Sequence, residues 1–253
     1  MNTDTEASKA FSLQRDAWLS EKLGRAAWQV KRGSDGERWP ALTSMTPTFA
    51  YAKVEAADVG ALWSLSDAGF RVVDAAVTLE TTTPVDARGD SLRFALAGDR
   101  KAVGRVAGSC FRYSRFHADP LIPPGLAHGL KAEWATNFFT GARGDGMVVA
   151  ERGGRVVGFT QLIWQADDRL VIDLIGVDEA FQGRGIGRAM IGYAARHGTG
   201  DIRRPARLRV GTQVANTPSI RLYESLGFRL IGSQYVLHFH AGRPLTDDAN
   251  RPD

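Results

Sequence analysis

Apolar positions along the 253-residue chain fall into helical spacing in some stretches and into short continuous or alternating runs in others, and the switches between the two mark the elements. Residues 8–32 read as a helix carrying Trp18, Leu19 and Leu23, followed by the strand-like AAWQVKR and a polar Gly/Asp/Pro turn region. The stretch DVGALWSLSDAGFRVVDAAVTLE (58–80) predicts a helix, a stop at Gly69 and a strand with an irregularity near Asp74. The same order returns in PSIRLYESLGFRLIGSQYVLHFH (218–240), where a helix stops at Gly227 and Gly-Phe-Arg leads into strands, offset by 158 residues from Gly69-Phe70-Arg71. This is a weak internal repeat. In ETTTPVDARGD (80–90) the periodicity lapses and the chain reads as a linker. The predicted division is an N-terminal domain at 1–82, a linker at 83–90, a main domain at 91–242 and a polar tail at 243–253. Within the main domain the expected order is strand (91–97), helix (99–110), loop, helix (124–140), strands (146–151, 155–165, 168–177), helix (185–197), strand (206–212), helix (218–226) and strands to 240. That order predicts an α/β fold of the α+β kind with a mixed, mostly antiparallel sheet.

Composition narrows the class. With 43% hydrophobic residues the chain can fill a core, and no stretch approaches the roughly 18 apolar residues of a membrane span. The N-terminus has no apolar signal region, so a cytoplasmic protein without membrane partners is expected. Its one cysteine, Cys110, excludes an internal disulfide and a cysteine-cluster metal site. The net charge of +4 is spread out, DIRRPARLR (201–209) being the densest run, which reads as a solvated face beside a strand; nucleic acid is not an expected partner. The five histidines lack zinc-type spacing and no metal is expected; His238 and His240 alternate as strand neighbours do.

The candidate chemistry lies in FQGRGIGRAM (181–190), three glycines and two arginines running into a helix with Ile186, Met190, Tyr193 and Ala194 on one side. A dinucleotide fingerprint beginning at Gly183 needs glycine where Arg188 stands, and a Walker loop needs a Gly-Lys pair that the chain lacks. What remains is Gln182-x-x-Gly185-x-Gly187 between an apolar strand, LVIDLIGV (170–177), and a helix. Bare backbone amides at a helix N-terminus attract an anion without help from lysine. Gly176 inside that strand marks a bulge or a close approach. In ANTPSIRLYESLGF (215–228), Thr217-Pro218 reads as N-cap and first helical residue, and Asn216 and Tyr223 are seven apart on one face.

Strand, Gln-x-x-Gly-x-Gly, helix in this element order resembles the acetyl-CoA loop of the GNAT superfamily of N-acetyltransferases, over about residues 91–240. The resemblance implies a GNAT fold preceded by a smaller, incomplete GNAT-like domain without a glycine loop, in which Leu65 stands at the position of Tyr223. It implies acetyl-CoA as cosubstrate, its pyrophosphate on Gln182, Gly183, Arg184, Gly185, Ile186, Gly187 and Arg188. The strand would splay from its neighbour, so that Leu174, Ile175, Gly176 and Val177 meet the pantetheine arm, with Asn216 beside it. Tyr223 would be the acid that protonates the departing thiolate, and Asp173 either a paired acid or a group facing the amine.

Three segments, SRFHADP (114–120), LKAEWATNFF (130–139) and LRVGTQVANTPSIRLYESLGF, resemble the TDP-fucosamine N-acetyltransferase type. That resemblance implies a nucleotide-linked amino sugar as acceptor and a homodimer, with Arg115 and His117 as candidate acceptor contacts. Other readings stay open: an acetyltransferase for another small amine or a peptide N-terminus, a non-catalytic acyl-CoA-sensing module, and a covalent route with Cys110 as nucleophile and His117 as base.

Overall fold

The computed structural model describes residues 11–32, 47–82, 85, 87, 89–200, 203–242 and 244–246. The first residues of the helix expected at 8–32, four linker positions, Asp201 and Ile202, and most of the tail at 243–253 lie outside the described residues.

The chain opens with β1 (Phe11–Arg15), α1 (Ala17–Leu23) and β2 (Ala26–Arg32). One long helix before AAWQVKR is therefore corrected to a strand and a two-turn helix. Asp16 Oδ1 accepts the Leu19 amide at 2.9 Å and sets the helix start, while Gly24 ends it in the left-handed region, so the flanking segments fold back as an antiparallel pair. Next come β3 (Thr48–Glu55), α2 (Val59–Asp67) and β4 (Arg71–Thr81). The expected irregularity is present: the register of β4 slips by one residue between Asp74 and Val72.

The main segment follows its expected order: β5 (Leu92–Phe94), α3 (Arg100–Cys110), α4 (Arg115–Ala118), α5 (Pro124–Thr136), β6 (Gly146–Arg152), β7 (Arg155–Gln165), β8 (Arg169–Val177), α6 (Ile186–His197), β9 (Arg207–Gln213), α7 (Thr217–Glu224) and β10 (Arg229–Ala241). Three details differ. The segment expected as loop contains α4; the helix expected to reach 140 ends at Thr136 and continues as a 3-10 turn; and the final strands are one strand bent by two register shifts.

The ten strands form one sheet in the order β1-β2-β3-β10-β4-β9-β8-β7-β6-β5. Only β2/β3 and β8/β9 are parallel, so the sheet is mixed and mostly antiparallel. Strand β10 comes last in the chain but lies between β3 and β4, so the N-terminal and main segments share one continuous sheet. The repeat is structural: α2–β4 and α7–β10 each run helix, left-handed glycine, buried phenylalanine (Phe70, Phe228), strand, and β4 and β10 are antiparallel neighbours.

Both faces of the main sheet are covered, which is why β6 reads as an unbroken apolar run. Val148 and Ala150 pack with Ile186, Met190 and Ala194 of α6, whereas Met147 and Val149 pack with Val103 and Val106 of α3. The basic run is spent locally: Glu80 pairs with Arg209 at 2.8 Å, Arg169 at 3.2 Å and Arg207 at 3.7 Å, and Arg203 pairs with Asp168 at 3.0 Å. No helix among the described residues is long and apolar enough to cross a membrane.

Candidate active site

The site begins where two parallel strands part. β8 and β9 pair only from Arg169/Arg207 to Ile172/Val210, although β8 runs on to Val177 and β9 to Gln213. The cause is a bulge: Gln161 of β7 faces Leu174 while the next residue, Leu162, faces Ile172, so Asp173 is the extra residue and β8 turns away from β9 beyond it. Of the two readings of Gly176, a bulge or a close approach, the second holds, and the bulge lies at Asp173. A Cβ there would lie 2.6 Å from Cys110 Sγ and 2.9 Å from the Phe159 ring.

The gap opens into a cavity of about 610 Å³, the size of a small-molecule site. Its walls carry Leu174, Ile175, Gly176 and Val177 on one side and Val210 to Gln213 on the other. At one end lies the glycine loop. Gly183 and Gly185 take φ of +73° and +76°, where other residues are strained, and Gly185 is the N-cap of α6. Gln182, Gly183, Gly185, Ile186, Gly187 and Arg188 line the cavity. Arg184 turns back to donate to the Ala180 carbonyl at 3.0 Å and is not part of the wall. Arg188 donates to Ser225 Oγ at 2.5 Å, and the Gln182 amide to the Val177 carbonyl at 3.0 Å, bracing the loop against α7 and β8.

Asn216 and Tyr223 both reach this cavity from α7. The expected cap is corrected by one residue: Asn216, not Thr217, is the N-cap, its Oδ1 accepting the Ser219 amide at 3.3 Å while its Nδ2 donates to Thr212 Oγ1 at 3.2 Å. An asparagine side chain closes this turn where the β-branched threonine side chain does not. Tyr223 is 2% exposed, packs on Phe228, and its hydroxyl makes no hydrogen bond to any described residue. Burial alone pushes the phenol well above its ordinary range, so it stays protonated. In the same cavity burial pushes the Cys110 thiol up to about 12.

Asp173 lines the cavity as a paired acid. Arg143 grips it with Nε to Oδ2 at 2.7 Å and Nη2 to Oδ1 at 2.5 Å, and Trp134 Nε1 donates to Oδ2 at 3.2 Å. Asp173→Asn should lower the melting midpoint, by about 1–3 kcal/mol of stability for a partly buried charge-assisted fork, with turnover held within roughly threefold. A large fall in turnover at an unchanged midpoint would instead make Asp173 a proton acceptor.

Arg115 and His117 stand outside the cavity wall. The Arg115 guanidinium lies 3.9 Å over the Tyr51 ring and 3.3 Å from His238 Nε2. His117 is held between Ser114 Oγ at 2.7 Å and His128 Nδ1 at 3.1 Å, and burial with His128 nearby lowers its pKa to about 4. The two ring nitrogens of His117 face Ser114 and His128, not Cys110. The sequence did not single out Lys131, which lines the cavity between the rings of Phe111 and Trp134 at 5.0 Å each, nor Gln213. Lysine and glutamine in helices and strands carry no spacing signal of their own.

One polar cluster arises only in three dimensions. Asp119, His238 and His240 converge, Asp119 Oδ2 accepting from His238 Nδ1 at 2.6 Å and His240 Nε2 at 2.8 Å. Because Arg115 donates to His238 Nε2, the His238 proton sits on Nδ1 and faces Asp119, which withdraws that nitrogen from metal ligation.

Residues 113–228 match the model of the Acetyltransferase (GNAT) family. The chain is 30% identical over 146 residues to the spore coat polysaccharide biosynthesis protein SpsD of Bacillus subtilis (strain 168), a match covering 58% of this chain and 49% of that protein. It is 27% identical over 191 residues to the dTDP-fucosamine acetyltransferase of Escherichia coli O6:H1 (strain CFT073), covering 74% of this chain and 80% of that one. The chain thus spans about half the length of the first of these relatives. Among solved structures, a GCN5-related N-acetyltransferase from Sphaerobacter thermophilus superposes with a TM-score of 0.52 at 18% identity, over 78% of this chain and 62% of that one.

Proposed function

We propose, from a chain that carries the GNAT fold, an acetyl-CoA-dependent N-acetyltransferase whose acceptor is a primary amine on a nucleotide-linked sugar. The observation that carries this reading is one continuous cavity with a glycine-rich helix N-terminus at one end and an unpartnered tyrosine hydroxyl on its wall. The residues fit the cosubstrate. The amides after Gly183 and Gly185, with the positive end of α6 and Arg188, suit a diphosphate. The backbone of Leu174 to Val177, left unpaired by β9, suits an extended arm with amide groups.

The chemistry follows from that placement. A neutral amine nitrogen forms the new bond to the thioester carbonyl carbon, backbone amides of β8 stabilise the oxyanion, and Tyr223 supplies a proton or hydrogen bond to the sulfur as the C–S bond breaks. Burial keeps the Tyr223 phenol protonated, so it can donate as negative charge develops on the sulfur. The two sugar-related names among the relatives support the acceptor class. The test is thiol release from acetyl-CoA across amino-sugar nucleotides, aminoglycosides, polyamines and peptide N-termini. TDP-4-amino-4,6-dideoxygalactose should be turned over faster than the free amino sugar, because the nucleotide adds binding energy remote from the reacting amine. Equal rates would remove the sugar-nucleotide acceptor, and acetyl-CoA binding without thiol release for any amine would favour an acyl-CoA sensor.

A further inference from the structure

We infer that the N-terminal segment builds the acceptor wall of this site and selects an amine that carries a phosphate group. The inference rests on the acetyltransferase reading and extends it to residues outside the acetyltransferase family match at 113–228.

The register supplies the geometry. Lys53 of β3 pairs with Val236 of β10, Val236 pairs with Asp74 of β4, and Tyr51 pairs with His238. Side chains at paired positions share a face, and residues two apart on a strand do too, so Tyr51, Lys53, Asp74 and His238 point to one side of the sheet. Arg115 packs on that side, over Tyr51 and against His238. The buried hydrogen bonds from His238 and His240 to Asp119 fix the His238 tautomer, and that fixes Arg115. At the other end of this face, Gln213 of β9 pairs with Ala76, two residues along β4 from Asp74, and Gln213 also lines the donor cavity, as does Lys131. The cluster therefore adjoins the place where β8 and β9 part.

Its charges do not balance. Arg143 and Asp173 neutralise each other, but among the described residues Lys53, Arg115 and Lys131 have no carboxylate within salt-bridge distance. Arg115 and Arg143 are close enough to act on both lysines: Lys53 is held below its ordinary pKa by desolvation and then by Arg115 and Arg143, and Lys131 is pushed down to about 8 by burial and then by Arg115. Asp16 also acts on Arg115, but its two oxygens already accept the Leu19 amide and the Tyr51 hydroxyl; the carboxylate left to face Lys53 and Arg115 is Asp74. It is half-buried, its pKa is raised by burial, and its Oδ2 is enclosed without a donor from the protein. Lys53 is exposed while Arg115 and Lys131 are partly buried, and like charges held together beside an orphaned carboxylate oxygen cost stability; such arrangements cluster at functional sites.

A phosphorylated amine satisfies both. Its phosphate answers Lys53, Arg115 and Lys131, and its ammonium answers Asp74. Asp74 takes one ammonium proton, the freed lone pair forms the C–N bond, the second proton leaves to water, the C–S bond breaks, and the thiolate takes its proton from Tyr223.

The experiment compares phosphorylated and unphosphorylated members of matched pairs, glucosamine 6-phosphate with glucosamine and TDP-4-amino-4,6-dideoxygalactose with its free sugar, with muramic acid as a carboxylate-bearing amine. Wild type should favour the phosphorylated member by at least about tenfold in kcat/KM. Lys53→Met and Lys131→Met should each remove most of that preference, through the KM of the phosphorylated member, read as the kcat/KM ratio within each pair. Asp74→Asn should lower kcat at least about tenfold on both members. A preference untouched in the lysine variants, or equal kcat/KM for glucosamine 6-phosphate and glucosamine while the TDP-sugar is still preferred, overturns the inference alone; equal kcat/KM within the TDP-sugar pair removes the sugar-nucleotide acceptor as well, and muramic acid matching glucosamine 6-phosphate overturns the phosphate specificity. If a chain that binds acetyl-CoA releases no thiol with any amine, the acetyltransferase reading falls and this inference with it.

Discussion

Tyr223→Phe should lower turnover at least about tenfold while acetyl-CoA affinity and the melting midpoint stay where they are. The hydroxyl makes no hydrogen bond to the described residues, so removing it breaks nothing that holds the fold. The ring keeps its packing on Phe228, at 5.7 Å between centroids, in a core shared with Leu226 and Ile186. The hydroxyl opens onto the cavity rather than being sealed in the core, so the midpoint of the phenylalanine variant should be nearly unchanged. What is lost is a donor at the moment negative charge reaches the sulfur. Positioned acids typically contribute about 100-fold to 10,000-fold, and the tenfold floor allows for partial rescue by water. Turnover, acetyl-CoA Kd and melting midpoint measured on one preparation decide it. Undiminished turnover with a lowered midpoint would make Tyr223 a packing residue only.

Gly185→Val should abolish acetyl-CoA binding. Wild type should gain about 2.7 kcal/mol of stability at acetyl-CoA concentrations 100 times its Kd, read as a rise in melting temperature. At φ +76° a β-branched residue costs about 1–3 kcal/mol of strain, and no neighbouring atom lies within 4 Å of a Cβ placed there, so the apo protein should fold with a modest loss. The relaxation that relieves the strain moves the amides at the start of α6 and places a branched side chain beside them, where the diphosphate is proposed to lie. An unchanged ligand-induced shift would move the cofactor to another part of the molecule.

Most elements of the main segment were legible in the sequence, and the glycine loop was found by elimination because few other residues tolerate its backbone. The internal repeat was legible for the same reason: Gly69 and Gly227 both end helices at positive φ ahead of a buried phenylalanine. Other features were hidden. Phe11 to Arg15 alternates too briefly to outweigh the helical spacing beside it, and only pairing with β2 makes it a strand. Asp173 could be read as paired or free because its partner Arg143 is 30 residues away.

What the sequence determined by itself was local: caps, glycine stops, strand and helix rhythms, and a loop whose amides have nothing in front of them, since each depends on a few neighbouring residues and their φ/ψ limits. What only the tertiary structure decided depends on strands brought together from distant parts of the chain. The insertion of β10 between β3 and β4 puts Lys53 and Asp74 on one face of the sheet, and the bulge at Asp173 opens the cavity by ending the pairing of β8 with β9 at Ile172. Strand order and register are set by which apolar faces can be buried together, a property of the whole core that no single stretch contains.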